Sequence, residues 1–169
     1  MKKAAYCSMV SMVQVLDMFD QLTANLTRTK DPGVRDAVVL CLKTHANKNP
    51  EIMDKAITWA DRTLSVPRES VGDHIQRAEA AHLIGYLKVF EQRGADCKSL
   101  GDKLLELAKD STEEVEVRRR CIQSLGRINC TAAWKALNGL CNSLTDETLL
   151  RELNTAIQIL LPSIQRQYN

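Results

Sequence analysis

The sequence predicts an all-α protein that forms a single domain over residues 1–169. Apolar residues recur at spacings of three and four along most of the chain, which is the period of an amphipathic helix. Hydrophobic residues make up 44% of the chain but aromatic residues only 4%. Small and aliphatic side chains therefore dominate, which favours helix packing over a sheet. A short arginine-containing phrase also returns at intervals of about 40 residues, as in helical repeat proteins.

The first helices are predicted from apolar periodicity and from capping residues. Between residues 4 and 27, apolar side chains share one face. Asp31-Pro32 and Asn49-Pro50 then each supply a side-chain acceptor for a helix N-terminus, followed by proline at the first helical position. Two further helices are therefore expected to begin at Pro32 and Pro50.

The later helices are predicted from the same kinds of signal. The apolar period of the fourth helix continues through Gly85, and Gly94 is expected to end it. Ser111 with Glu114 three residues later is typical of a capping box, and Thr145 is the expected cap of the last helix. The eight predicted helices cover about residues 4–27, 32–46, 50–66, 70–92, 98–109, 112–128, 131–142 and 145–162.

The same sequence pattern occurs in the second, fourth and sixth predicted helices. Each contains an arginine, then two small apolar residues, then a leucine or isoleucine. These copies align without gaps and begin at Arg35, Arg77 and Arg118. A degenerate fourth copy begins at Glu152, where glutamate replaces the arginine. Two helices in each interval of about 40 residues predict an α-solenoid of about four helical hairpins.

The repeated phrase resembles the second helix of HEAT repeats. Val34-Arg35 and especially Val117–Ile128, reading VRRRCIQSLGRI, carry this likeness. It covers most of residues 31–161 and implies an armadillo-like, right-handed α-solenoid. It also implies that Arg35, Arg77 and Arg118 connect adjacent repeats, and that the second helices line a concave surface.

The charge and the cysteine content restrict the classes of protein to which this chain is expected to belong. The 23 basic and 21 acidic residues give a net charge of +2, so strong electrostatic capture of nucleic acid is not expected. Six cysteines lie mostly beside apolar residues in predicted helices, as buried free thiols do. We therefore expect a reducing compartment, cytoplasmic or nuclear, and no secretion. No stretch approaches the roughly 20 apolar residues of a membrane span.

The sequence contains no recognisable arrangement for catalysis or metal binding. Cys41 and His45 can share a helix face, but no second pair with ligand spacing accompanies them. Glu113, Glu114 and Glu116 are better explained as helix-capping acids than as a catalytic cluster. We therefore expect a protein that is not an enzyme and that needs no cofactor or metal.

The run Arg118-Arg119-Arg120 is the sharpest surface feature. If Arg118 faces a neighbouring repeat, Arg120 and later residues at spacings of three and four form a polar ridge. Such a ridge suits a phosphate or an acidic peptide. The alternative is a solvated face neutralised by neighbouring glutamates. The predicted partner-binding residues are Arg119, Arg120, Gln123, Arg127, Lys88 and Lys43.

Two functions are compatible with these features. The leading hypothesis is a protein–protein interaction scaffold whose concave face binds a partner protein, with an acidic or phosphorylated segment as the candidate ligand. The alternative is a HEAT-like protein that binds the DNA backbone, conceivably with repair chemistry. The arginine run motivates the alternative, and the small net charge opposes it.

Overall fold

The computed structural model describes residues 12–66, 73–88, 98–128 and 134–167, and in these ranges the chain is all-helical, with no strand. The all-α prediction is therefore confirmed. None of the helices in these ranges is long and apolar enough to cross a membrane. The described helices are α1 (Met12–Asp17), α2 (Phe19–Arg28), α3 (Pro32–Ala46), α4 (Pro50–Ser65), α5 (Asp73–Ile84), α6 (Lys98–Lys109), α7 (Val115–Arg127), α8 (Trp134–Leu140) and α9 (Glu147–Gln167).

The described part of the chain has nine helices where eight were predicted, because the first predicted helix is interrupted at Met18. This residue has φ −97° and ψ 4°, which lies outside the α-helical region and separates α1 from α2. No proline or glycine marks the break, so the sequence gives no local signal for it.

Two predicted helix ends also differ from the structure. Helix α5 ends at Ile84, and the amide of Tyr86 then donates to the Leu83 carbonyl three residues back at 2.9 Å. Such tightened bonds are typical of a helix terminus. Helix α9 instead continues through Pro162, which is exposed, so water can satisfy the carbonyl that loses its partner. The helix end predicted at Gly94 lies outside the described residues.

Two of the predicted caps are confirmed. The Asp31 carboxylate accepts a hydrogen bond from the amide of Gly33 at 2.8 Å. The Asn49 side chain accepts hydrogen bonds from the amides of Glu51 and Ile52 at 2.9 and 3.4 Å. Each cap satisfies an amide that has no partner within its own helix.

Two other predicted caps are wrong. The capping box at Ser111 does not form, because the Glu113 carboxylate accepts the amide of Glu114 at 2.9 Å. At the start of α9, Asp146 rather than Thr145 accepts the amide three residues further on, also at 2.9 Å. In both places a carboxylate replaces the predicted hydroxyl, which suits the positive end of a helix.

The odd-numbered helices α3, α5, α7 and α9 contact one another in chain order. We call these four helices the helix row. Each also contacts the helix before it, so α2, α4, α6 and α8 lie beside the helix row. Glycine allows close approach in this row: a Cβ on Gly126 would lie 2.9 Å from the Cα of Ala156. Nearby, the Ser124 hydroxyl donates to the Ala81 carbonyl at 2.6 Å and joins α7 to α5.

The repeated arginines have structural partners. Arg35 Nε donates to Glu79 at 3.0 Å, which joins α3 to α5, and Arg77 pairs with Glu113 just before α7. These two therefore connect successive helix pairs, as the resemblance implied. Arg118 differs, because it donates to the Ala108 carbonyl of α6, within its own helix pair, at 3.3 Å.

Candidate functional site

Charged side chains connect α3, α5 and α7 across one side of the helix row. Glu79 accepts from Arg35 and faces Nδ1 of His82 at 3.5 Å. Nε2 of His82 lies 3.1 Å from Nη1 of Arg120. Arg120 also binds Glu116 at 2.9 Å. We call the following residues the inter-helix network: Arg35, Asp36, Glu79, His82, Glu116, Arg119, Arg120 and Glu152.

The inter-helix network holds His82 in its neutral form. Burial lowers the pKa of His82, and the positive charge of Arg120 adds to this effect, although the hydrogen bond to Glu79 opposes it. Arg120 can only donate, so Nε2 of His82 accepts and Nδ1 carries the proton that faces Glu79. For Glu79, burial raises the pKa, but the contacts with His82, Arg120 and Arg35 outweigh burial and lower it.

Arg119 and Arg120 are both paired with carboxylates of the same chain. Arg119 forms two hydrogen bonds of 2.7 Å with Glu116 and a longer one of 3.4 Å with Glu152 on α9. Burial raises the pKa of Glu116, but these two guanidinium groups outweigh burial and hold it below its usual range. Two of the predicted partner-binding residues, Arg119 and Arg120, are therefore neutralised within the chain.

A second group of cations surrounds Tyr86, just after α5. Nζ of Lys43 on α3 and Cζ of Arg127 on α7 each lie over its ring, 4.3 Å from the ring centroid. Both contacts have cation–π geometry. Asn47 accepts from the amide of Lys88 at 2.9 Å and donates to the Tyr86 carbonyl at 3.1 Å. We call Lys43, Tyr86, Lys88 and Arg127 the Tyr86 cluster.

The Tyr86 cluster differs from the inter-helix network in its charge balance. Among the described residues, no carboxylate forms an ion pair with Lys43, Lys88 or Arg127. Lys88 and Arg127 are exposed, and Lys43 and Tyr86 are half-buried. The cluster therefore combines two cations on one aromatic ring with an exposed lysine that follows the ring by two residues.

The structure places the six predicted partner-binding residues in different surroundings. Lys43 and Arg127 meet on one ring, and Lys88 follows that ring by two residues. Arg119 and Arg120 belong to the inter-helix network. Gln123 is half-buried, and among the described residues its buried Oε1 has no hydrogen-bond partner. Of the proposed ridge of Arg120, Gln123 and Arg127, only Arg127 is exposed, and the other two are half-buried.

Sequence reasoning missed Glu79, His82 and Tyr86. Tyr86 was not among the predicted residues, yet its half-buried ring joins cations from two other helices. A signal for His82 was present, because it occupies the same repeat position as Leu40 and Gln123. This correspondence places His82 beside the predicted ridge.

The described residues contain no group of three or more histidine, cysteine or acidic side chains placed to hold a metal ion. Cys41 and Cys121 are buried thiols. Burial raises the pKa of Cys121, which disfavours the reactive thiolate. The chain matches no family model, no curated protein and no solved structure.

Proposed function

We propose that the chain is a non-enzymatic protein-binding module that recognises an acidic segment of a partner through the Tyr86 cluster. The observation that carries this proposal is the convergence of Lys43 and Arg127 on one ring without a carboxylate among the described residues. Arg119 and Arg120, about two helical turns before Arg127 on α7, are already paired with the carboxylate of Glu116. An anion from outside the chain would complete the Tyr86 cluster.

The cation–π contacts favour binding because they hold the cations in place beforehand. A cation over an aromatic face is stabilised by roughly 0.5–2 kcal/mol, depending on its exposure. Lys43 and Arg127 therefore lose less conformational entropy when an anion binds. Leu40 precedes Lys43 by one helical turn and is 44% exposed, so it offers an apolar contact beside the charged one.

We further infer that the helix pairs stack as a right-handed α-solenoid of the HEAT type, with α3, α5, α7 and α9 on its concave side. The chain-order contacts of these helices and the spacing of Arg35, Arg77 and Arg118 support this arrangement. The buried thiols of Cys41 and Cys121 suit a reducing compartment, cytoplasmic or nuclear.

The test compares two double variants of equal charge change. Lys43→Ala/Arg127→Ala removes both cations that contact Tyr86, whereas Lys55→Ala/Lys109→Ala removes two exposed lysines on α4 and α6. Binding is measured by fluorescence anisotropy with labelled, partly randomised peptides that carry central glutamates or central lysines. We expect the glutamate peptides to bind. The first variant should weaken their binding by at least about tenfold, because charge-assisted hydrogen bonds are lost.

Three results would contradict the proposal: no binding of the glutamate peptides, equal binding of the lysine peptides, or equal weakening by both variants. Thermal melts establish that each variant is folded. Duplex DNA, titrated at two salt concentrations, tests the alternative function. Tight DNA binding with a steep salt dependence, in the absence of peptide binding, would favour nucleic-acid recognition.

A further inference from the structure

Resting on the proposed function, we infer that the Tyr86 cluster is a site for a phosphorylated side chain of the partner protein, in preference to glutamate or aspartate. The cluster is the place among the described residues where cations from α3 and α7, the helices that contact α5 in the helix row, meet on one aromatic ring. Charge, geometry and the state of the neighbouring groups each favour a phosphoryl group.

The charge of the cluster exceeds what one carboxylate can balance. Lys43 and Arg127 contribute two positive charges at the ring, and neither is paired with a described carboxylate. A carboxylate supplies one negative charge. A phosphomonoester supplies about 1.5 to 2 near neutral pH, together with three strong acceptor oxygens. The phosphoryl group is therefore the better electrostatic complement.

The geometry allows one anion to approach both cations that contact the ring. Nζ of Lys43 and Cζ of Arg127 are each 4.3 Å from the ring centroid of Tyr86 and cannot be farther apart than twice that distance. An anion beside the ring can therefore approach both cations. The planar guanidinium of Arg127 can donate to two phosphoryl oxygens, while the Lys43 ammonium acts as a point charge on a third.

The residues around the Tyr86 cluster hold the Tyr86 turn in place, and the nearby carboxylates are paired with other groups. The Asn47 side chain binds both the Tyr86 carbonyl and the Lys88 amide, so it fixes the turn against the end of α3. The His82 ring lies 5.1 Å from the Tyr86 ring. Glu116 and Glu79 are engaged by arginines of the inter-helix network, so these described carboxylates do not neutralise the cluster.

The experiment compares three labelled peptide libraries, identical except for a central phosphoserine, glutamate or serine. Binding to the full chain is measured by fluorescence anisotropy near physiological salt. We expect the phosphoserine library to bind at least about tenfold tighter than the glutamate library, as one additional charge-assisted hydrogen bond predicts. Lys43→Ala/Arg127→Ala should remove this preference, and Lys55→Ala/Lys109→Ala should preserve it. Inorganic phosphate should compete with the phosphoserine library.

The outcomes separate this inference from the proposed function. Equal affinity for phosphoserine and glutamate overturns the phosphoryl preference and leaves an acidic-segment module in place. Failure of both acidic libraries overturns both proposals. A preference that Lys55→Ala/Lys109→Ala also removes reflects overall charge and overturns the assignment to the Tyr86 cluster. Competition by duplex DNA at least as strong as that of the phosphoserine library overturns it in favour of a nucleic-acid phosphate.

Discussion

At Gly126, the backbones of α7 and α9 approach so closely that a methyl group has no room. A Cβ there would lie 2.9 Å from both Cα and Cβ of Ala156, and neither atom can rotate away. We expect Gly126→Ala to lower the free energy of unfolding by about 1–3 kcal/mol, the usual cost of overpacking. This loss should exceed the gain of up to about 1 kcal/mol from the higher helix propensity of alanine. Urea denaturation measures the difference.

Gly139 provides the matched control for this substitution. It also lies inside a helix, α8, but a Cβ there would meet nothing within 4 Å. Gly139→Ala should therefore raise the free energy of unfolding by roughly 0.5–1 kcal/mol, through propensity alone. If Gly126→Ala were as stable as Gly139→Ala, the close approach of α7 and α9 would be wrong.

At the scale of the elements, the Arg77–Glu113 pair joins α5 to the turn that precedes α7. Both side chains are almost fully buried, with exposed fractions of 8% and 1%. Glu113→Gln removes the charge that compensates Arg77, and we expect it to lower the free energy of unfolding by about 3–5 kcal/mol. Glu114→Gln, at an exposed residue whose side chain forms no cap, should change it by less than about 0.5 kcal/mol. Urea denaturation of both variants compares them.

A double variant distinguishes the ion pair from simple loss of packing. Arg77→Met/Glu113→Leu removes both charges and keeps much of the apolar volume, so it should be more stable than Glu113→Gln alone. A cost for Glu113→Gln as small as that for Glu114→Gln would show that the pair does not hold these elements together.

The starts of helices could be predicted where a capping residue directly precedes the helix. Contacts between residues far apart in the sequence could not. Asp31 and Asn49 cap the helices that follow them, because each acceptor lies two or three residues from its amide donors. Glu113 was assigned to capping, and its Glu114 amide contact is indeed local. Its buried partner Arg77 lies on another helix, where periodicity gives no information about pairing.

The candidate site was predictable to a similar extent. Lys43, Lys88 and Arg127 were identified because charged residues on repeated helices must fall on a shared side. Tyr86 was not identified, because the predicted fourth helix ran through it, and its aromatic ring fits the apolar period of that helix as well as it fits a surface role. Tyr86 lies beyond the end of α5 at Ile84, and Gly85 was the available signal, because glycine commonly follows the last residue of a helix.

At the scale of the whole molecule, the inter-helix network makes the stability of the helix row depend on one proton. His82 on α5 accepts from Arg120 on α7, and its Nδ1 faces Glu79, which in turn binds Arg35 on α3. Protonated His82 could not accept from Arg120, and two positive groups would then be in contact. Contacts of α3, α5 and α7 thus all depend on the His82 ring, and its neutral form stabilises the folded state.

This arrangement predicts the pH dependence of the unfolding free energy. The pKa of His82 is lowered by burial in the folded protein, below the value of about 6.5 that an exposed histidine has when unfolded. The stabilising contribution of neutral His82 is therefore complete above pH 6.5. As the pH falls, the unfolded state takes up the proton first, so stability declines until the folded pKa is reached.

Urea denaturation between about pH 7.5 and 5 should show a steeper loss of stability for the wild type than for His82→Gln. The glutamine keeps an acceptor for Arg120 but cannot be protonated. Equal slopes for the two proteins would mean that His82 does not link the helix row to pH.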